Sequence, residues 1–548
     1  MKKKTALFLD LNLGSSSAAV NRFTPARFKP NTELETLQIL KRTANDKKLS
    51  GIFINTSGFS GGRAYLWELQ KAVEICRSSG KKVIAYFDNA DLDLYCFLSA
   101  ADKIVMDEAA LLSFLGYSWG RFFVKETLDK LGVGFRELRY LDYKSANETF
   151  SRTSISDADR EQYGAYLDQI FDLTKNTILK NRPMPGENFE TLLKEAVLLS
   201  PAEAKSRGLV DVIGREEAIR ETIRAMEFGE PEKGSVHFIT AGNSAHSLFS
   251  LDRKAPSYSP VRARFRAPEI AVVHARGNTD LDQGMNARNI AQIIRRQAER
   301  SRVKAMVIRI DSPGGSAVAA DYIAEAISEA KKEKPVVVSM GQVAASGGYW
   351  AAMTASHISA SPYTLTGSIG VIAGWFFDNG FNTKLGLGFD VLTRGEHADL
   401  GAGIILPKRD LSENEEEQFR RCLLDLYDGF VKKAAKNRNI KEEELEPLAR
   451  GRVYSGLHAQ SLRLIDSLGG YNDALETARR LAEIPAARKI RIREYPKTKF
   501  LENMAARFLS PARISLNGYD LTAGPWGDLY YRLSHNGRAL PVLPLIWD

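Results

Sequence analysis

Two stretches of this chain run through the same order of strand, turn, helix and strand, and this repeat constrains the fold more than any other feature. In the second half, residues 305–310 (AMVIRI) form a run of the buried-strand type. The run enters the turn 311–316 (DSPGGS), then a helix with Ala319, Ile323, Ala326, Ile327 and Ala330 on one face. Lys334 and Pro335 lead into a further strand, 336–340 (VVVSM). In the first half, 51–55 (GIFIN) is a strand and 60–62 (SGG) a turn. A helix there turns Leu66, Leu69, Val73 and Cys76 inward, and 79–82 (SGKK) leads into the strand 83–87 (VIAYF). The spacing continues, because Tyr95 and Ile104 match Tyr349 and Ile358. Strands alternating with helices in this way predict an α/β fold, two tandem repeats of parallel sheet covered by helices.

The repeats divide the chain. Residues 1–228 form the first and 269–487 the second. Between them, 229–268 begins Gly-Glu-Pro-Glu-Lys-Gly, becomes rich in Ser and Asn, then in Pro and Arg, and reads as a linker. Residues 488–548 read as a C-terminal tail. Phe500, Leu501, Met504, Phe508 and Leu509 suggest a short amphipathic helix, followed by a Gly/Pro-punctuated stretch with Trp526, Tyr530, Tyr531 and Trp547. Such a tail packs on the body or on a neighbouring subunit, or touches a membrane surface.

The totals exclude several classes. The 548 residues carry a formal net charge of +9, with the positive side chains scattered rather than drawn into a nucleic-acid stripe. A basic face toward an anionic membrane stays open. Three cysteines, Cys76, Cys96 and Cys422, give neither a disulfide framework nor a metal spacing. No run reaches the roughly 20 apolar residues of a transmembrane helix. The N-terminal stretch resembles a signal peptide, but Asp10 and Asn12 interrupt it while Leu7, Leu9 and Leu11 alternate. Residues 5–13 are therefore expected to be a strand.

Two motifs can carry chemistry. In 311–316 a glycine pair follows proline, so the backbone turns tightly and can bring a bare N–H to a ligand at a helix start. Such a turn suits an oxyanion hole, although a plain strand-to-helix turn has the same sequence. In 342–350 (QVAASGGYW), Ser346 follows the next strand and precedes Gly347 and Gly348. In the first repeat Leu92 falls opposite Ser346, so that copy lacks the serine. A serine hydroxyl needs a base. Of seven histidines, His397 is the best rival, in a loop-like stretch, yet no Ser-His-Asp signature stands near it. A lysine can serve if it is neutral, which burial in a dry pocket favours. Lys144, in 143–150 (YKSANETF), is the candidate, though by its local sequence alone it reads as a surface lysine.

SPGGS, AASGGYW and YKSANETF together resemble the signal peptide peptidase A (protease IV) family in its long, duplicated form, Ser-Lys proteases of the ClpP/crotonase superfamily. The resemblance runs from about residue 5 to about residue 490. It implies two ClpP/crotonase-like repeats, with Ser346 as nucleophile and Lys144 as general base. Thr149 stands where the family has proline. The turn 312–315 implies an oxyanion hole from the Gly315 and Gly347 N–H groups, with Gly314 the neighbouring alternative. Thr-Gly-Ser-Ile-Gly at 366–370 implies that Ser368 orients the lysine. The base then comes from the first repeat and the nucleophile from the second.

The resemblance further implies a serine endopeptidase acting on cleaved signal peptides and other unfolded hydrophobic peptides, with no cofactor, no metal and no nucleic acid. It implies a homo-oligomer, a tetramer, and association with the bacterial inner membrane. Long members begin with a transmembrane anchor, which these residues do not encode, so the expectation is either an anchor outside this sequence or a soluble or peripheral enzyme. Two different functions share the fold: an acyl-CoA enzyme of crotonase type, which needs neither Ser346 nor Lys144, and a non-catalytic pseudoprotease scaffold.

Overall fold

The computed structural model describes residues 5–14, 32–184, 186–195, 197–241 and 267–496, with the short strand pair 515–516 and 519–520. Its other strands, in chain order, are β1 (Thr5–Asn12), β2 (Gly51–Asn55), β3 (Lys82–Ala90), β4 (Lys103–Leu112), β5 (Val133–Leu138), β6 (Val212–Ile213), β7 (Ser235–Thr240) and β8 (Glu269–Arg276). They continue as β9 (Val303–Ser312), β10 (Val336–Ala345), β11 (His357–Ala360), β12 (Leu365–Gly367), β13 (Ala373–Asp378), β14 (Val453–Ser455), β15 (Ser467–Leu468) and β16 (Arg491–Tyr495).

Two compact units arise. One holds the described residues of Met1–Tyr117, Asp168–Arg264 and Gly469–Asn472; the other holds those of Ser118–Leu167, Phe265–Leu468 and Asp473–Asp548.

The first unit is built on a parallel sheet in the order β6-β4-β3-β2-β1-β7. All five residues of β2 are buried, as a central parallel strand covered on both faces requires. The alternating leucines of the N-terminal stretch lie in β1, between β2 and β7. The helix Glu33–Asn45 starts at a capping box, in which Thr32 and Glu35 satisfy each other's backbone N–H groups.

The second unit repeats the plan with the order β14-β12-β10-β9-β8-β16; β11 lies beside β10, and β15 beside β11. These pairings are parallel except β12 with β14. The helix Ala317–Glu333 buries Ala319, Ile323, Ala326, Ile327 and Ala330, the face the periodicity predicts. Each of the two isoleucines contributes roughly 1.5–3 kcal/mol by that burial.

Three segments fall differently from the sequence reading. Residues 118–167, expected in the first repeat, cluster with the second unit. There β5 pairs with β13 in antiparallel register, and Phe135, Phe150 and Phe376 pack ring against ring. The reason is tertiary, since nothing local to β5 names its partner. Within 229–268, residues 235–240 are not linker but β7, the edge of the first sheet, with Phe238 against Phe53. At the start of the tail, β16 extends the second sheet beside β8. The amphipathic stretch at 500–509 and the aromatic residues Trp526, Tyr530, Tyr531 and Trp547 lie outside the described residues. Among the described residues no helix is long and apolar enough to cross a membrane.

Candidate active site

The site assembles within the second unit, at the end of β10. After Met340 this strand loses register with β9, regaining it only where Ala344 meets Ser312. The Asp311 carboxylate holds the irregular stretch by accepting the Val343 N–H at 3.1 Å. The chain then reaches Ser346 at φ 57° and ψ −114°, an arrangement that costs a non-glycine residue roughly 1–3 kcal/mol. Two hydrogen bonds hold it there: the Ser346 N–H donates to the Gly367 carbonyl at 2.8 Å, and the Ser346 carbonyl accepts from Trp350 N–H at 2.8 Å. Ser346 thus caps the buried helix Gly347–Ala352. At the matching helix start of the first unit Asp91 is the cap, its side chain accepting from Leu94 N–H, and buried Leu92 follows it. That copy has no serine at the turn.

Both glycines after Ser346 face close approaches, and only at Gly348 is a side chain ruled out. A Cβ on Gly348 would stand 2.7 Å from the Ser312 carbonyl oxygen, and one on Gly347 would stand 3.2 Å from the Gly315 nitrogen. The Gly347 and Gly315 peptides therefore lie side by side. Gly315 adopts φ 153°, and a side chain there would collide with Thr279. Thr279 bridges this turn, donating to the Gly314 carbonyl and accepting from the Ser316 N–H, both at 2.7 Å. Neither the Gly315 N–H nor the Gly347 N–H has an acceptor among the described residues, whereas the Gly314 N–H is engaged by Ser312 Oγ at 3.2 Å. Two neighbouring donors of this kind suit a developing oxyanion.

Lys144 comes from the irregular stretch between β5 and the short helix Glu148–Ser151. It is 1% exposed, and so is Ser368; Ser346 is fully buried. Lys144 Nζ lies 2.6 Å from Ser346 Oγ, 2.8 Å from Ser368 Oγ and 3.0 Å from the Ser368 carbonyl oxygen. Ser368 is itself at positive φ, 50°, with its N–H donating to the Arg452 carbonyl at 2.7 Å. The structure thus brings Ser346, Lys144 and Ser368 together, and sets the N–H of Gly315 near Gly347.

The histidine rival is committed elsewhere. His397 Nδ1 lies 2.8 Å from Glu415, a carboxylate that Arg409 and Ser412 also bind. Other residues at the site went unread in the sequence. Gly451, at φ 84°, lies against the Lys144 backbone, and Gln162 contacts the lysine stretch. Gly451 between two arginines carried a faint turn signal; Gln162, near the start of a long helix, carried none.

Residues 76–227 and 328–485 match the profile of peptidase family S49. The chain belongs to that family. Consistent with S49 membership, it is 28% identical to the chloroplastic serine protease SPPA of Arabidopsis thaliana over 95% of this chain and 78% of the relative. It is 31% identical to Protease 4 of Haemophilus influenzae over 81% of this chain and 72% of the relative. A solved complex of the 1510-N membrane-bound stomatin-specific protease with a substrate peptide aligns to 44% of this chain and 98% of its own, at 16% identity and a TM-score of 0.29. This S49 member is a serine protease, and peptides are its substrates.

Proposed function

We propose that Ser346 is the nucleophile of this endopeptidase and Lys144 its general base. The observation that carries the reading is the 2.6 Å approach of Lys144 Nζ to Ser346 Oγ in a buried setting. Burial strips hydration from an ammonium and so favours the neutral amine. A neutral amine can donate to both oxygens of Ser368 while its lone pair faces the Ser346 hydroxyl. Ser368 in this way orients the base.

The amine takes the Ser346 proton as Oγ attacks the scissile carbonyl carbon. The Gly315 and Gly347 N–H groups receive the oxyanion, and Gly314, occupied by Ser312, is the weaker candidate. The ammonium returns its proton to the leaving amine. Water, deprotonated by the same lysine, then hydrolyses the acyl-enzyme.

The substrates we assign are cleaved signal peptides and other unfolded hydrophobic peptides, in keeping with the names SPPA and Protease 4 among the relatives. Assembly into a homo-oligomer is supported by exposed apolar side chains in residues 385–405, including Leu392 at 93% exposure and Ile405 at 61%, and a tetramer is proposed on the family resemblance alone. Light scattering of the purified chain tests it. Association with a bacterial inner membrane is proposed on the family resemblance alone, and fractionation of cells tests that.

The test of the chemistry is hydrolysis of peptide esters and denatured casein by wild type, Ser346→Ala and Lys144→Ala. Both variants should fold and lose activity. Full activity in either would sink the dyad, and turnover of acyl-CoA without turnover of peptides would favour the crotonase alternative.

A further inference from the structure

Lys144 sits on an irregular stretch, so something other than a helix or strand must hold its backbone. The groups flanking it are bound by three side chains that the dyad chemistry does not use. The carbonyl of Tyr143 accepts from Gln162 Nε2 at 3.0 Å. The carbonyl of Ser145 accepts from the Arg121 guanidinium, which also donates to Ser145 Oγ at 3.2 Å. Ser145 Oγ donates in turn to Asp159, and Asp159 lies 2.8 Å from Arg121. Gln162 Nε2 also contacts Asp159 Oδ1 at 3.0 Å.

The other end of the Gln162 amide leaves its own helix, Asp157–Asn181. Its Oε1 accepts the Val453 N–H at 3.1 Å. Val453 lies in β14, directly opposite Gly367 of β12, the residue before Ser368. A single side chain therefore ties the carbonyl preceding Lys144 to the strand pair that presents Ser368. Gln162 is 1% exposed and Asp159 fully buried. Water cannot replace these bonds, so losing one leaves a buried polar group unpaired.

We propose that Gln162, braced by the buried Arg121–Asp159 pair, is the positioning residue that holds Lys144 in register with Ser368 and Ser346. The inference rests on the dyad reading above. Gln162 touches no reacting atom; it acts through the backbone on either side of the base. A displacement near 1 Å is enough to cost about 100-fold in rate.

The test replaces Gln162 with leucine, similar in size and without polar atoms, in the full chain. The expected result is a kcat about 10- to 100-fold lower, a KM within about 3-fold of wild type, and an acidic limb of the pH–rate profile moved by about half a unit or more. Asp159→Asn, which keeps the shape and alters the brace, should show the same split more weakly. A folded Gln162→Leu with wild-type kcat and pH profile overturns the proposal. So does loss of folding in both variants, which would make the network purely structural. If Lys144→Ala is also active, the dyad reading itself has failed; if Lys144→Ala is inactive, only the positioning role has.

Discussion

A Cβ on Gly451 would stand 2.6 Å from the Cβ of Lys144 and 2.7 Å from its backbone nitrogen. Gly451 also donates its N–H to the Ile369 carbonyl at 2.9 Å, one residue beyond Ser368. Lys144 and the residue after Ser368 thus meet across a glycine that has no room for a side chain.

Gly451→Ala should therefore disable the enzyme. The substitution combines that collision with φ 84°, where an L residue is strained by roughly 1–3 kcal/mol. We expect a lowered melting temperature and activity below about 1% of wild type, because Lys144 must move. Peptide-ester hydrolysis beside thermal unfolding checks it, and near-normal activity would contradict the packing described.

Gly347→Ala addresses the other side of the site. The added methyl would lie 3.2 Å from both the Gly315 nitrogen and Thr279 Oγ1, beside the two N–H donors. The protein should stay folded while kcat drops about 100-fold or more. An active-site serine probe and a kcat measurement together separate the hydroxyl's reactivity from oxyanion stabilisation.

Ser368→Ala removes one of the two Ser368 oxygens facing Lys144 Nζ and leaves the carbonyl at 3.0 Å. A single hydrogen bond is worth about 0.5–1.5 kcal/mol, so kcat should fall up to about 10-fold rather than vanish. In wild type, kcat/KM should drop about tenfold per pH unit once acid protonates the amine, since only the neutral form can accept a proton. A profile flat through the acidic range would rule out an amine base.

Acid stability offers a test remote from the chemistry. Arg215 grips both oxygens of Asp107, at 2.7 and 3.1 Å, and holds that carboxyl well below the usual carboxylate range. A depressed carboxyl stabilises the fold above its unfolded pKa, about 3.9, and loses that contribution as pH falls toward its folded value. Arg215→Met should accordingly be less stable than wild type at pH 6, with the gap closing below about pH 4. Denaturant melts at several pH values measure it; a gap that widens in acid would reverse the assignment.

Much of the site was legible because glycine is demanded by distance. Gly315 and Gly348 stand where other backbone approaches too closely for a Cβ, Gly347 where the fit is tight, and a glycine pair in sequence announces such places. The repeat was legible because buried parallel strands such as β2 and β9 carry short apolar runs, Ile52 to Ile54 and Ala305 to Ile308. Lys144 was not legible from its surroundings, since its partner lies 202 residues away and only the family resemblance pointed to it. Gln162 was invisible for a similar reason: it joins Tyr143, 19 residues before it, to Val453, 291 residues after it. The reassignment of residues 118–167 rests on the pairing of β5 with β13, a choice of partner that strand-forming residues do not encode locally.

That reassignment bears on how a duplicated chain of this kind can change over time. On the proposed roles, about fifty residues from the earlier half of the polypeptide complete a catalytic centre whose serine lies in the later half. Neither half can then be discarded as a spare copy. Losing the front half removes the base, and losing the back half removes the nucleophile. On those roles the tandem arrangement is one of mutual dependence, and the first copy's turn carries Asp91 and Leu92 where the second carries its serine.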